Sequence, residues 1–233
     1  MTLRATRKNR ANGNIGSAAH AFTPAERRLI ARLHTPDLVQ RYLNRLPYNT
    51  EAKAETLRSF REVVRHGTAH CCEAALLAAC VLHEHGYPTL LMTLESIDWL
   101  DHVIFVYRER GRWGAVARSR DPGLHGRKPV FPTPRALAMS YFDPFIDATG
   151  ALEGFAVVDL RKLGRYDWRF ARRNMWAVER FLIDIRHTKI KFSRPNVERE
   201  RARYIAYREK YGGRKPLYYS GRSAWTPIPK SFL

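Results

Sequence analysis

Cysteine is scarce in this chain: three residues in 233, two of them adjacent at Cys71-Cys72 and the third, Cys80, in the same segment. Such a set makes no disulfide framework, so a reducing, cytoplasmic setting is expected. The Cys and His spacings also lack the doubled C-x-x-C or H-x-x-x-H units of a zinc site, and no metal or other cofactor is expected. Long apolar runs are missing too. The longest uncharged one, Ala74 to Leu82, falls far short of the roughly 20 residues a spanning helix needs, so no membrane association is expected. There is no internal repeat, and the first twenty residues contain no acid.

Positive charge, by contrast, is abundant. The formal net charge is +19, and it is unevenly placed: residues 71–160 carry 8 basic and 11 acidic side chains, whereas residues 161–233 carry 20 and 6. The middle of the chain is therefore slightly acidic, and its C-terminal third has the electrostatic footprint of a polyanion binder. Arginine outnumbers lysine 32 to 9. Bidentate phosphate contacts favour that ratio, and so does a GC-rich coding bias.

The segment richest in chemistry is His70-Cys71-Cys72-Glu73-Ala74-Ala75. Good helix formers run without a break from Ala74 to Leu82, and Gly86 and Pro88 end them, which places Cys71 or Cys72 in the first helical turn. There the unpaired N–H groups and the positive end of the helix dipole favour thiolate over thiol and can hold a developing oxyanion. Glu73 suits the same dipole. His70, His83 and His85 read as a neighbour and as helix-end residues, and Cys72 and Cys80 as small buried hydrophobes. Downstream, Thr89 to Leu94 and Asp101 to Tyr107 have the composition of strands, His102 leads the second, and Glu109-Arg110-Gly111-Arg112 turns into a third from Trp113 to Arg118. A thiol at a helix start followed by a strand-borne histidine supplies a nucleophile and its base.

This order of elements resembles the transglutaminase-like branch of papain-like folds. The likeness rests on the Cys at the start of an Ala-rich helix, Gly86-Tyr87-Pro88 fifteen residues after Cys71, the strand led by His102, and Trp113 opening the next strand. The spacing selects Cys71 over Cys72 as nucleophile. Trp113 to Ser119, Arg127-Lys128-Pro129-Val130 and Leu137 to Phe142 are similar to uncharacterised bacterial transglutaminase-like proteins, and the match spans roughly residues 55 to 190. The resemblance implies a Cys-His-Asp triad acting on an amide or ester, by hydrolysis or acyl transfer. The family's usual Asp position is Ala117 here. Asp121, a carboxylate able to hold the imidazole, is one candidate third member; Ser119 on the same strand face is another, and no third member is the remaining option. The upstream Trp that some transglutaminases use as an oxyanion donor is also missing, with Gln40, Asn44 and Asn49 as substitutes.

Around this core, residues 1–20 read as a flexible basic arm without a secretory apolar region or an amphipathic targeting face. Thr23-Pro24-Ala25-Glu26 is a capping box opening one helix, Thr35-Pro36-Asp37 opens a second, and residues 51 to 66 have the period of a third. Residues 121 to 134 read as a loop, 135 to 145 as a helix, 155 to 160 as a strand and 174 to 187 as a helix. A basic extension from 191 to 233 is expected to form a helix capped by Asn196, where Tyr204, Tyr207 and Tyr211 make a stripe beside Arg199, Arg203 and Arg208. That stripe either packs on the domain or contacts RNA or DNA through stacking and phosphate pairing. The expected whole is an α+β protein: a basic arm (1–20), a transglutaminase-like domain (21–190) in which the Cys71 helix packs on an antiparallel sheet, and a basic extension (191–233). Its leading function is a thiol acyl enzyme acting on a peptide, amide or ester. The alternative is an inactive relative that binds ribonucleoprotein through its basic arms.

Overall fold

In the computed structural model of the chain, residues 22–213 are described; the expected basic arm and the end of the C-terminal extension lie outside them. Three helices come first, α1 (Pro24–Arg32), α2 (Pro36–Arg45) and α3 (Phe60–His66), then α4 (Cys71–His83). Strands β1 (Leu90–Ser96), β2 (His102–Glu109), β3 (Arg112–Val116) and β4 (Arg127–Phe131) follow. The chain continues through α5 (Pro134–Met139), α6 (Phe142–Phe145), β5 (Leu152–Asp159), α7 (Trp176–Ile183), β6 (Thr188–Lys189) and α8 (Arg194–Lys210). The six strands form one antiparallel sheet in the order β4-β3-β2-β1-β5-β6.

Local chemistry explains most boundaries. Thr23 and Glu26 close a reciprocal capping box on α1, and the Thr35 hydroxyl accepts the Leu38 N–H at the start of α2. Gly67 ends α3 with φ of 67°, a left-handed conformation that glycine adopts without a Cβ penalty, and so delivers the chain to Cys71. Between β2 and β3, Arg110 and Gly111 both have positive φ, as a two-residue hairpin turn requires.

Alternation along the strands divides the core between the two faces of the sheet. Leu91, Phe105, Tyr107, Val116 and Val158 join the helical layer of α1 to α4 and α7, in which α4 is buried along nearly its whole length. Met92, Ile104, Val106, Ala115 and Leu152 face α5, α6 and the base of α8.

Several expectations change. Residues 51 to 59 are not helical: Glu51 has φ of 55°, and Thr56 and Arg58 give their hydrogen bonds to side chains, so the helix begins only after Ser59, whose hydroxyl accepts the Glu62 N–H. The loop expected over 121 to 134 contains β4, which pairs with β3 at the sheet's edge, where Pro129 is tolerated. The expected 135–145 helix is broken into α5 and α6, and the 174–187 helix shortens to Trp176–Ile183. The last helix starts at Arg194 with Ser193, not Asn196, as its cap, because Pro195 occupies the first turn. Within the expected extension, Phe192 and Val197 pack into the second face's core beside Ile190 of the domain.

Candidate active site

Cys71 is the first residue of α4, partly exposed, and it lines a cavity of about 470 Å³ together with Tyr48, His70, His102 and Asp121. Two imidazoles come within hydrogen-bonding reach of its thiol, those of His102 and His70. Burial on its own would raise the Cys71 pKa; hydrogen bonds to His102 and then His70, with the positive charges of both rings, hold it well below the ordinary thiol value instead. Burial pushes the other two thiols up, Cys72 well above the usual range with help from the charges of Cys71, Glu73 and Glu179, and Cys80 likewise.

His102 opens β2 opposite Leu94 and is buried. Its Nε2 lies 2.9 Å from the Leu124 carbonyl, so Nε2 carries the hydrogen and Nδ1 is left for the thiol. The hydrogen-bond partner of the imidazole Nε2 is therefore a backbone carbonyl, where the sequence left open Asp121, Ser119 or no third member. Asp121 lines the same cavity, and its N–H donates to the Ser119 hydroxyl at 3.1 Å.

Arg127 holds the Leu124 segment in place. Fully buried, it donates to the carbonyls of Gly123, His125, Gly126 and Ser140, so that its guanidinium grips the chain on both sides of Leu124. The same guanidinium lies 3.9 Å from the centre of the Tyr141 ring, and Tyr141 meets His102 edge-on at 6.4 Å. Sequence reasoning missed both Leu124 and Arg127 as parts of the site, since a carbonyl acceptor has no residue signature and a basic residue in a loop reads as surface charge.

His70 also has a larger place than a neighbour's. Its Nε2 donates to the Thr56 carbonyl at 2.9 Å, and its Nδ1 accepts the Cys72 N–H at 3.3 Å, which makes an imidazole the N-cap of α4. Burial would lower its pKa, but the Cys71 thiol, Glu73 and Thr56 raise it to about 9. Two states of Nδ1 follow: neutral, it caps Cys72; protonated, it supports the Cys71 thiolate.

Glu73 turns away from the cavity and anchors the helix. Fully buried, it accepts from the Thr56 hydroxyl at 2.9 Å and, at 3.0 Å each, from the Arg58 N–H, the Asn49 amide and the His70 N–H. This network commits Asn49. Gln40 is committed to the Ala117 backbone and to Asn44, at 2.8–2.9 Å, and reaches it past Gly126, where any Cβ would collide with the glutamine. None of the three amides lines the cavity.

The rim is acidic. Glu51, Asp98, Asp101, Asp121, Asp147 and Glu179 line the cavity against a single arginine, Arg120, and Trp99, 85% exposed with φ of 65°, stands at its edge. Such a lining attracts cationic ligands and repels anionic ones.

The residues expected to meet nucleic acid lie on α8, and the structure divides them. Tyr204 is buried, with Arg208 over its ring at 5.8 Å; Arg199 and Arg203 pair with Glu200; Tyr207 and Tyr211 are exposed and touch each other at 4.5 Å between ring centres. Among the described residues no group of three or more His, Cys, Asp or Glu is placed to hold a metal ion, and no helix is long and apolar enough to cross a membrane. No protein-family model matches the sequence, and no curated protein matches it.

Proposed function

We propose that this protein is a thiol acyl enzyme of the transglutaminase-like, papain-like type, with Cys71 as nucleophile and His102 as its acid and base. What carries the reading is one observation: a cysteine at the N-terminus of a buried helix, its pKa depressed by an imidazole whose far nitrogen is pinned to the Leu124 carbonyl, all opening on one cavity. The order of helix, His-led strand and paired third strand in an α+β fold agrees with it.

The chemistry runs as follows from this geometry. The Cys71 thiolate attacks the carbonyl carbon of an amide or ester, the S–C bond forms, and the π pair moves to oxygen beside the positive end of α4. As the C–N or C–O bond breaks, His102 gives its proton to the leaving amine or alcohol. Water or an amine then enters, His102 takes its proton, and the acyl group leaves Cys71. A carbonyl partner fixes the tautomer and plane of His102 without a carboxylate's charge, so the imidazolium is stabilised chiefly by the thiolate itself.

The test is labelling with a limiting electrophile followed by peptide mapping, in the wild type and in His102→Ala. Cys71 should take the label first, and His102→Ala should slow it at least tenfold near neutral pH. Preferential labelling of Cys72 or Cys80 overturns the assignment of the nucleophile, and an unchanged rate in His102→Ala overturns the pairing.

A further inference from the structure

The oxyanion of an acyl transfer needs hydrogen-bond donors aimed at it, and the Cys71 N–H at the start of α4 already faces the hydroxyl of Tyr48. The Cys72 N–H has His70 Nδ1 as acceptor at 3.3 Å only while that nitrogen is unprotonated, so with His70 charged it is a second donor beside whatever the side chains supply. The side-chain amides upstream of the cysteine are committed elsewhere, Gln40 to the Ala117 backbone and Asn49 to Glu73. Among the residues lining the cavity, Tyr48 is the one that brings a neutral O–H to the thiol from the upstream side.

Its position is built in. Tyr48 pairs with Ala69, two residues before Cys71, in an isolated parallel bridge, with the Asn49 N–H donating to the Ala69 carbonyl at 3.2 Å and the Ala69 N–H to the Pro47 carbonyl at 3.4 Å. The guanidinium groups of Arg118 and Arg120 lie 5.8 and 6.0 Å from the centre of its ring. Arg118 is itself tied to the Leu46 and Ser119 carbonyls. Strand pairing and two cations therefore hold the ring, and the hydroxyl stays on the Cys71 side of the cavity.

We propose that Tyr48 is a catalytic residue of this site, the side-chain oxyanion donor, whose O–H points at the substrate carbonyl oxygen while its own oxygen takes the Cys71 N–H. Linked this way, the N–H polarises the hydroxyl, and the two act as one donor chain. No proton is transferred by Tyr48: the negative charge appears when the S–C bond forms and disappears when the leaving group departs. Burial and the Cys71 charge push the Tyr48 pKa up, so the hydroxyl keeps its proton, and the Arg120 guanidinium offsets part of that rise. This role rests on the acyl-enzyme reading above.

The probe reactions are chosen to separate the two. With p-nitrophenyl acetate, Cys71 attack passes through an oxyanion, collapse breaks the C–O bond and p-nitrophenolate leaves; with iodoacetamide, the thiolate displaces iodide from a saturated carbon and no oxyanion forms. Tyr48→Phe keeps the ring and its two cation contacts. It should lower the rate of Cys71 acylation by about 10²–10³, the usual effect of removing one oxyanion donor, and leave the iodoacetamide rate within about twofold, because thiolate nucleophilicity is untouched. Equal acylation by the wild type and Tyr48→Phe overturns the role of Tyr48 alone. Faster acylation by Tyr48→Phe also overturns it, and shows the hydroxyl obstructing the carbonyl oxygen. A parallel fall in both reactions overturns it in favour of a role in placing Cys71. Absence of p-nitrophenolate release by the wild type above that of Cys71→Ala overturns the acyl-enzyme reading and the donor with it.

Discussion

Replacing Glu73 by alanine should loosen the whole front of the site without touching the cavity. The carboxylate is fully buried and holds four donors within 3.0 Å, two of which, the N–H groups of Arg58 and His70, are fixed by the backbone. The Asn49 amide already donates to the Thr56 hydroxyl at 2.7 Å, and that hydroxyl can turn its own hydrogen to Glu51 Oε1 at 3.5 Å. The two amides cannot move, and each stranded buried donor costs roughly 1–3 kcal/mol. Adding the lost packing but crediting the removal of a buried charge, we expect a loss of about 3–5 kcal/mol. For a domain of this size that lowers the melting temperature by roughly 6–20 °C. Urea unfolding monitored by tryptophan fluorescence measures it directly. Glu73→Gln, which keeps the shape and one acceptor oxygen, should lose less, and folded Glu73→Gln should still alkylate at Cys71, since Glu73 does not line the cavity. It should also lower the His70 pKa from about 9, because the Glu73 charge is among the causes that raise it. A loss below about 1 kcal/mol in Glu73→Ala would refute the anchoring argument, because two orphaned amides alone exceed it.

Two further outcomes follow from the site. The rate of Cys71 alkylation should rise with pH to a plateau whose midpoint lies below the ordinary thiol value, since the folded state favours thiolate; His102→Ala should move that midpoint upward, and Cys72 and Cys80, both raised by burial, should stay unlabelled at pH 8. A midpoint at or above the free-thiol value in the wild type would contradict the pairing of Cys71 with the two imidazoles. Arg127→Met removes a buried cation and strands the carbonyls it holds, so stability should fall by about 3–5 kcal/mol; in the protein that remains folded, acylation by p-nitrophenyl acetate should fall mainly in kcat, because Leu124 no longer holds His102 in plane. Wild-type kcat in folded Arg127→Met would separate Arg127 from His102.

Short-range chemistry in the sequence determined the parts that depend on neighbours in the chain. Thr23 and Glu26 announce α1, Thr35 and Pro36 announce α2, and the run from Ala74 to Leu82 places Cys71 in a first helical turn, because caps and helix propensity act within a few residues. Alternation and the Gly111 turn likewise foretold the hairpin led by His102. Tertiary structure decided the rest. The apolar period over residues 51 to 59 lost to two carboxylates that took its backbone donors out of any helix, Glu51 the Thr56 N–H and the buried Glu73, 15 residues further on, the Arg58 N–H. Strand β4, with Pro129 inside it, exists because β3 offers it an edge. The partner of His102 is a carbonyl, a group every residue has, so no side chain in the sequence could nominate Leu124. Tyr48 likewise became a neighbour of the thiol only when the segment from Pro47 to Asn49 paired with Ala69, since long-range pairing, unlike a cap or a period, leaves no mark on adjacent residues.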